Sequence, residues 1–133
     1  MTIDEKRKQL AFYRLTQADE SIDEALFLLK GRKSPRSIIN RIYYGMFYSV
    51  LALLVFEQYA SSKHSGVISF FNKHFIKEGN FPNDPGSYLN KSFALRQRSD
   101  YREYIELSYD QVEPYLNKAQ EFIDIVKMII NKK

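Results

Sequence analysis

Arginine, histidine, tyrosine and aspartate are the side chains here that can grip an anion or move a proton, and they gather in three stretches. The richest is Ala94-Leu95-Arg96-Gln97-Arg98-Ser99-Asp100-Tyr101. At 3.6 residues per turn Leu89, Phe93, Arg96 and Asp100 share one stripe, so an apolar ridge runs on into a guanidinium and a carboxylate, and the helical phase turns both toward the bundle. One reading is an ordinary i,i+4 pair of Arg96 with Asp100, leaving Arg98 and Arg102 solvated. The other is a polar pocket at the end of a bundle helix. The second stretch holds Arg41, Tyr44 and Tyr48 on one polar strip, either aromatic cover for an arginine stem or the wall of a pocket. The third is Lys63-His64 in the first turn of a helix, where free N–H groups and the helix dipole favour an anion and disfavour a cation.

These stretches need helices to carry them. Thr2-Ile3-Asp4-Glu5 reads as a capping box. Leu10, Ala11, Arg14, Ala18, Ile22, Ala25 and Leu29 then recur at helical spacing as far as Lys30, with Gly31 suited to the C′ position. Ser34-Pro35 supplies an N-cap and an N1 proline for a second helix to Tyr59, antiparallel to the first across a short connection. That second helix is apolar around most of its circumference, which places it in the middle of the others. Its small residues Gly45, Ser49 and Ala52 line a stripe along which a neighbour can approach closely. Ser61-Ser62 caps a shorter helix over 63–76, with His64, Val67, Phe71 and His74 on one face. Gly79 stops it, and Asp84-Pro85 reads as cap and first residue of a fourth helix ending near Tyr101 or Arg102. A connection packed down by Tyr104 and Ile105 leads to Asp110-Gln111-Val112-Glu113, a second capping box, with Pro114 still in the tolerant first turn. The closing helix runs to Asn131. The expected fold class is all-α: an up-and-down bundle of four main helices plus one shorter helix, a single domain over 1–133.

Composition narrows the chemistry. A chain of 133 residues with 44% hydrophobic content buries a sizeable core. Ten tyrosines require partners for their hydroxyls or a route to solvent. There is no cysteine, so disulfides and thiolate chemistry are excluded, and a reducing, cytoplasmic setting is expected. No apolar run is expected to reach the ~20 residues of a membrane span. The net charge of +4 is compatible with an acidic partner. Glycine-rich phosphate loops, GxSxG, HExxH, EF-hand and Glu-x-x-His patterns do not occur in the sequence. Two histidines without a third ligand make a poor metal site, so neither metal nor cofactor is expected.

Arg41-Ile-Tyr43-Tyr44-Gly-Met-Phe47, Lys63-His64-Ser65-Gly66-Val67-Ile68 and Leu95-Arg96-Gln97-Arg98-Ser99-Asp100-Tyr101, in this order and spacing, resemble the HEPN domain (higher eukaryotes and prokaryotes nucleotide-binding), in its small stand-alone prokaryotic branch. The resemblance covers nearly the whole chain. It implies an up-and-down bundle, commonly a homodimer, often encoded beside a minimal nucleotidyltransferase as partner. Many such proteins are metal-independent RNases of toxin–antitoxin or defence systems, with an active-site Arg followed four to six residues later by His. This chain departs from that pattern, because Tyr101 stands where His is expected after Arg96. An unperturbed tyrosine is a far poorer base at neutral pH than imidazole.

The first expectation is therefore a nucleotide- or RNA-binding module, partnered by a nucleotidyltransferase, that binds through Arg96, Arg98, Asp100, Tyr101, Lys63, His64, Arg41 and Tyr44. The second is a metal-independent ribonuclease with catalytic candidates Arg96, His64 and Tyr101. The third is a structural or dimerisation module in which the polar cluster only ties helix ends together.

Overall fold

Five α-helices order the chain: α1 Ile3–Lys30, α2 Pro35–Glu57, α3 His64–Phe71, α4 Asn83–Tyr101 and α5 Tyr109–Asn131, with a π-helical turn Asn72–Ile76 continuing α3. The computed structural model describes residues 1–101 and 106–133, Tyr101 by its backbone alone. The expected packing of Tyr104 and Ile105 lies outside the described residues. No strand occurs among those described, and the architecture is the all-α bundle of four long helices and one short one.

Local chemistry sets most helix ends. The Glu5 backbone N–H donates to Thr2 Oγ1 at 3.1 Å and the Thr2 N–H to Glu5 Oε2 at 3.2 Å, completing the first capping box. Ala11, Leu15, Ala18, Ile22 and Ala25 form the buried stripe of α1; Leu10, expected in it, is exposed. The alanines let α1 lie close against α2. A Cβ built on Gly45 would fall 2.6 Å from Ile22 Cδ1 and 3.5 Å from the Ala18 carbonyl, so the small-residue stripe is indeed where the neighbour approaches. At the end of α1 the left-handed residue is Arg32 (φ 53°), and Gly31, expected to take that role, has φ −80°. A non-glycine there costs about 1–2 kcal/mol. Tyr109 offsets it from the start of α5: its hydroxyl lies 2.6 Å from the Arg32 carbonyl and 3.0 Å from that of Lys33, and the Arg32 guanidinium sits 4.8 Å from its ring centroid.

Helix α2 is the hub, packed by α1, α3, α4 and α5. Ser34 caps it as expected, accepting from the Ser37 N–H at 3.2 Å. It stops at Glu57, two residues short of the expected end, where Gln58 turns left-handed. Contrary to the sequence expectation, α2 is long and apolar enough to cross a membrane, yet 67% of its most apolar window is buried against the other helices.

Three other helix ends differ from expectation. Lys63 rather than Ser61-Ser62 holds the cap position of α3, because the Ser61 hydroxyl accepts the Lys63 N–H at 3.2 Å and lies over Gly66, where a Cβ would overlap it. Helix α4 opens at Asn83, and the carboxylate of Asp84 is engaged by Lys118 of α5 instead of capping. Helix α5 is capped by Ser108 paired with Gln111, two residues ahead of the expected Asp110 box, which moves Pro114 beyond the first turn.

The π turn winds an extra residue into the end of the third helix, the Lys77 N–H reaching the Asn72 carbonyl at 2.9 Å. The amides of Asn72 and Asn90 exchange hydrogen bonds of 3.1 and 3.2 Å and fasten the turn to α4. Behind it Phe71, Phe75, Phe81 and Phe122 pack as a buried aromatic cluster, with Phe81 and Phe122 centroids 4.8 Å apart.

Candidate functional site

Successive residues on a helix point 100° apart, and on α2 this splits Tyr43 from Tyr44. Tyr43 is fully buried, while Tyr44 lies at the surface of the core. Arg96 comes across from α4 and covers both, its guanidinium carbon 5.3 Å from the Tyr43 centroid and 5.1 Å from that of Tyr44. Arg41, one turn before Tyr44, stands at the same 5.1 Å from the Tyr44 centroid. One aromatic ring thus carries two guanidinium groups.

Among the described residues neither cation has a close carboxylate. Asp100 Oδ2 is 3.9 Å from Arg96 Nε, and Glu24 Oε1 is 4.0 Å from Arg41 Nη1. Both are outer-limit ion contacts rather than hydrogen bonds. Arg41 donates to Asn40 Oδ1 at 3.2 and 3.0 Å. Among the described residues Arg96 has a single long bond, to the Tyr44 hydroxyl at 3.4 Å, and its buried Nε has no acceptor. A buried donor of this kind has given up water without replacing it.

His64, the first residue of α3, closes the cluster. Its ring is parallel to Phe47 at 4.2 Å, and its Nδ1 lies 2.9 Å from the Tyr43 hydroxyl. Burial, and after it the positive charge of Arg96, holds the imidazole below its ordinary value, so His64 is neutral at pH 7. Burial likewise pushes the Tyr43 phenol upward, only partly opposed by Arg96. For His64 the folded-state value lies below the unfolded one, so the unfolded chain takes up the proton first. The fold should keep its full stability above pH 6.5, the unperturbed value, and lose some as pH falls below it. Melting curves from pH 7.5 to 5 should show this loss, and His64→Gln should flatten it.

Beside the cluster Leu28, Arg36, Ser37, Asn40, Arg41 and Asp100 line a cleft of about 770 Å³ between the end of α1, the start of α2 and the end of α4. The structure therefore brings together five of the sequence candidates: Arg41, Tyr44, His64, Arg96 and Asp100. Asp100 faces this cleft at the surface instead of the bundle interior, as expected of a carboxylate that keeps its hydration. Arg98, two residues past Arg96 and so on the other side of α4, is exposed and acts on Tyr115 of α5. Lys63 is exposed at the cap of α3. The side chain of Tyr101 lies outside the described residues. His74 is elsewhere, tilted against Phe70 and 3.8 Å from Glu78. Among the described residues no three His, Asp or Glu side chains gather as a metal group.

Tyr43 and Phe47, named above only within the stretch that carries the family resemblance, were not among the expected site residues. The signal was the tyrosine itself: a hydroxyl in an otherwise apolar helix needs a partner.

Fold and cluster together define a class, an all-α bundle bearing a guanidinium–tyrosine–imidazole cluster on its central helix. The HEPN domain model matches residues 11–129. A UPF0332 protein of Thermotoga maritima is 38% identical over 96% of this chain and 96% of its own length. Two proteins of Methanocaldococcus jannaschii named as candidate toxins are 37% identical over 71% of this chain and 65% of the relative, and 30% identical over 86% and 84%. The chain belongs to the HEPN domain family.

Proposed function

We propose that this chain is a HEPN-type module that binds the phosphate of a nucleotide or of single-stranded RNA through Arg96, Arg41, His64 and Tyr44. The observation that carries the reading is the buried Nε of Arg96, without an acceptor among the described residues, beside a second guanidinium on the same ring, with both carboxylates at the limit of contact. Two arginines around one ring repel unless an anion lies between them, and a phosphate oxygen supplies the acceptor that Arg96 lacks. Tyr44 adds a face for a base or ribose. The two relatives named as candidate toxins support a toxin–antitoxin setting. For that setting we assign a homodimer in the cytoplasm with a cognate nucleotidyltransferase as partner.

Metal-independent ribonuclease activity is the second reading, favoured by His64 and Arg96 sharing the Tyr43 ring. One experiment separates the two: the purified full chain is titrated with a fluorescein-labelled single-stranded RNA 12-mer in EDTA, and the RNA is then run on a denaturing gel. Binding that weakens steeply with salt, with the RNA intact, is the expected result. Cleavage would move the assignment to the ribonuclease, and no association with RNA or with nucleotides would end the anion-site reading.

A further inference from the structure

The mutual geometry of Tyr43 and His64 decides where the imidazole carries its proton. Among the described residues the Tyr43 hydroxyl has one hydrogen-bond partner, His64 Nδ1 at 2.9 Å. Two arrangements satisfy that distance: the phenol donates to Nδ1, or an Nδ1–H donates to the phenol oxygen. In the second, the phenolic proton of a fully buried side chain is left with nothing to accept it. The charged group against the ring is Arg96, which offers donors only. The first arrangement keeps every proton placed. Burial keeps the phenol protonated and the imidazole neutral; the charge of Arg96 adds to this at the imidazole and opposes it only in part at the phenol.

We propose that Tyr43 is a positioning residue that fixes His64 with its ring proton on Nε2, so that the pocket meets a phosphate oxygen with an imidazole N–H donor. The use of that donor rests on the anion-site reading; the tautomer itself does not. A general base for an RNA 2′-hydroxyl needs an unprotonated ring nitrogen free to face the substrate. Here Nδ1 is held by the phenol and Nε2 already carries the proton. His64 is thereby a partner to Arg96 in gripping an anion, and the tautomer argues against it as the base of a ribonuclease.

Nitrogen-15 NMR of the histidine-labelled full chain reads this directly, with His74→Gln assigning the two rings. The expected wild-type spectrum near pH 7.5 has Nε2 protonated and Nδ1 unprotonated, the latter displaced from a free ring nitrogen in the direction an accepted hydrogen bond produces. In Tyr43→Phe that displacement disappears and the second tautomer becomes populated. The ring should then titrate higher, because its neutral form has lost an accepted bond while the groups facing it, Arg96 and Tyr44 from α4 and α2 and the neighbouring Lys63, are unchanged. Affinity for the RNA 12-mer should fall about threefold or more. A protonated Nδ1 in the wild type overturns the proposal, as does a Tyr43→Phe ring with the wild-type nitrogen pattern. Unchanged RNA affinity in Tyr43→Phe, where Arg96→Ala does weaken binding, overturns the positioning role. If Arg96→Ala also leaves binding unchanged, the anion-site reading has failed while the nitrogen spectra still decide the tautomer. Should Tyr43→Phe not fold, the wild-type spectrum alone decides it.

Discussion

Replacing Arg96 with alanine is expected to weaken binding of single-stranded RNA about 10- to 100-fold while changing the stability of the fold by less than about 1 kcal/mol. The first figure follows from a charge-assisted hydrogen bond, about 1.5–3 kcal/mol, with tenfold in affinity for each 1.4 kcal/mol. The second follows from what Arg96 does in the unliganded protein. Among the described residues it makes one long hydrogen bond, one contact at 3.9 Å with Asp100 and two cation–π contacts, while a buried N–H goes unmet. The favourable contacts and the unmet donor largely offset each other. A purely structural role predicts the opposite pair of results. Breaking a fully formed buried ion pair costs about 3–5 kcal/mol, and ligand affinity would be unaffected at temperatures where the variant is folded. Fluorescence anisotropy with the labelled 12-mer and urea unfolding, performed on the same preparation, distinguish the two.

Phe122→Ala should be among the most damaging single substitutions to stability, lowering it by about 3–5 kcal/mol. Phe122 is fully buried on α5 and faces both Phe71 at 5.5 Å and Phe81 at 4.8 Å. Removing it empties the joint between the third helix, the loop before α4 and the closing helix, and the stacked rings around it are too rigid to collapse inward. Small domains hold about 5–15 kcal/mol in all, so the urea midpoint should move far or cooperative unfolding should vanish. A milder Phe122→Leu that restores much of the lost midpoint would establish cavity formation as the cause. Residual folded Phe122→Ala protein should still bind RNA, since this aromatic cluster shares no residue with the Arg96 site.

The features legible in the sequence were the ones whose physics is local. Thr2 with Glu5, Ser34 with Pro35, and Gly79 each act within one turn of chain, and each stands where the residue types alone place it. At α5 two overlapping boxes compete, Ser108 with Gln111 and Asp110 with Glu113. The earlier one prevails where Tyr109, as the first helical residue, can reach the α1–α2 turn 77 positions away. That reach also explains how Arg32 comes to hold the left-handed position beside an available glycine. The π turn was illegible for the same reason, since the amide that fastens it belongs to Asn90, 18 residues on. In the site, helical phase identified Arg96 and Arg41 as unusual cations. Their meeting on Tyr44 depends on how α4 crosses α2, since Arg96 is 52 positions from the ring it touches.

The turn Asn72–Ile76 takes up one residue more than an α-helix would. An α-helix advances 100° for each residue, so that residue would rotate everything beyond it were it not held in a wider turn, closed by the Lys77 N–H on the Asn72 carbonyl. Phe81 thereby keeps its place on Phe122. A chain lacking one residue of this turn would wind it as ordinary α-helix with the same phase downstream, so the segment between Phe71 and Phe81 is open to a change of a single residue without loss of the Phe81–Phe122 contact.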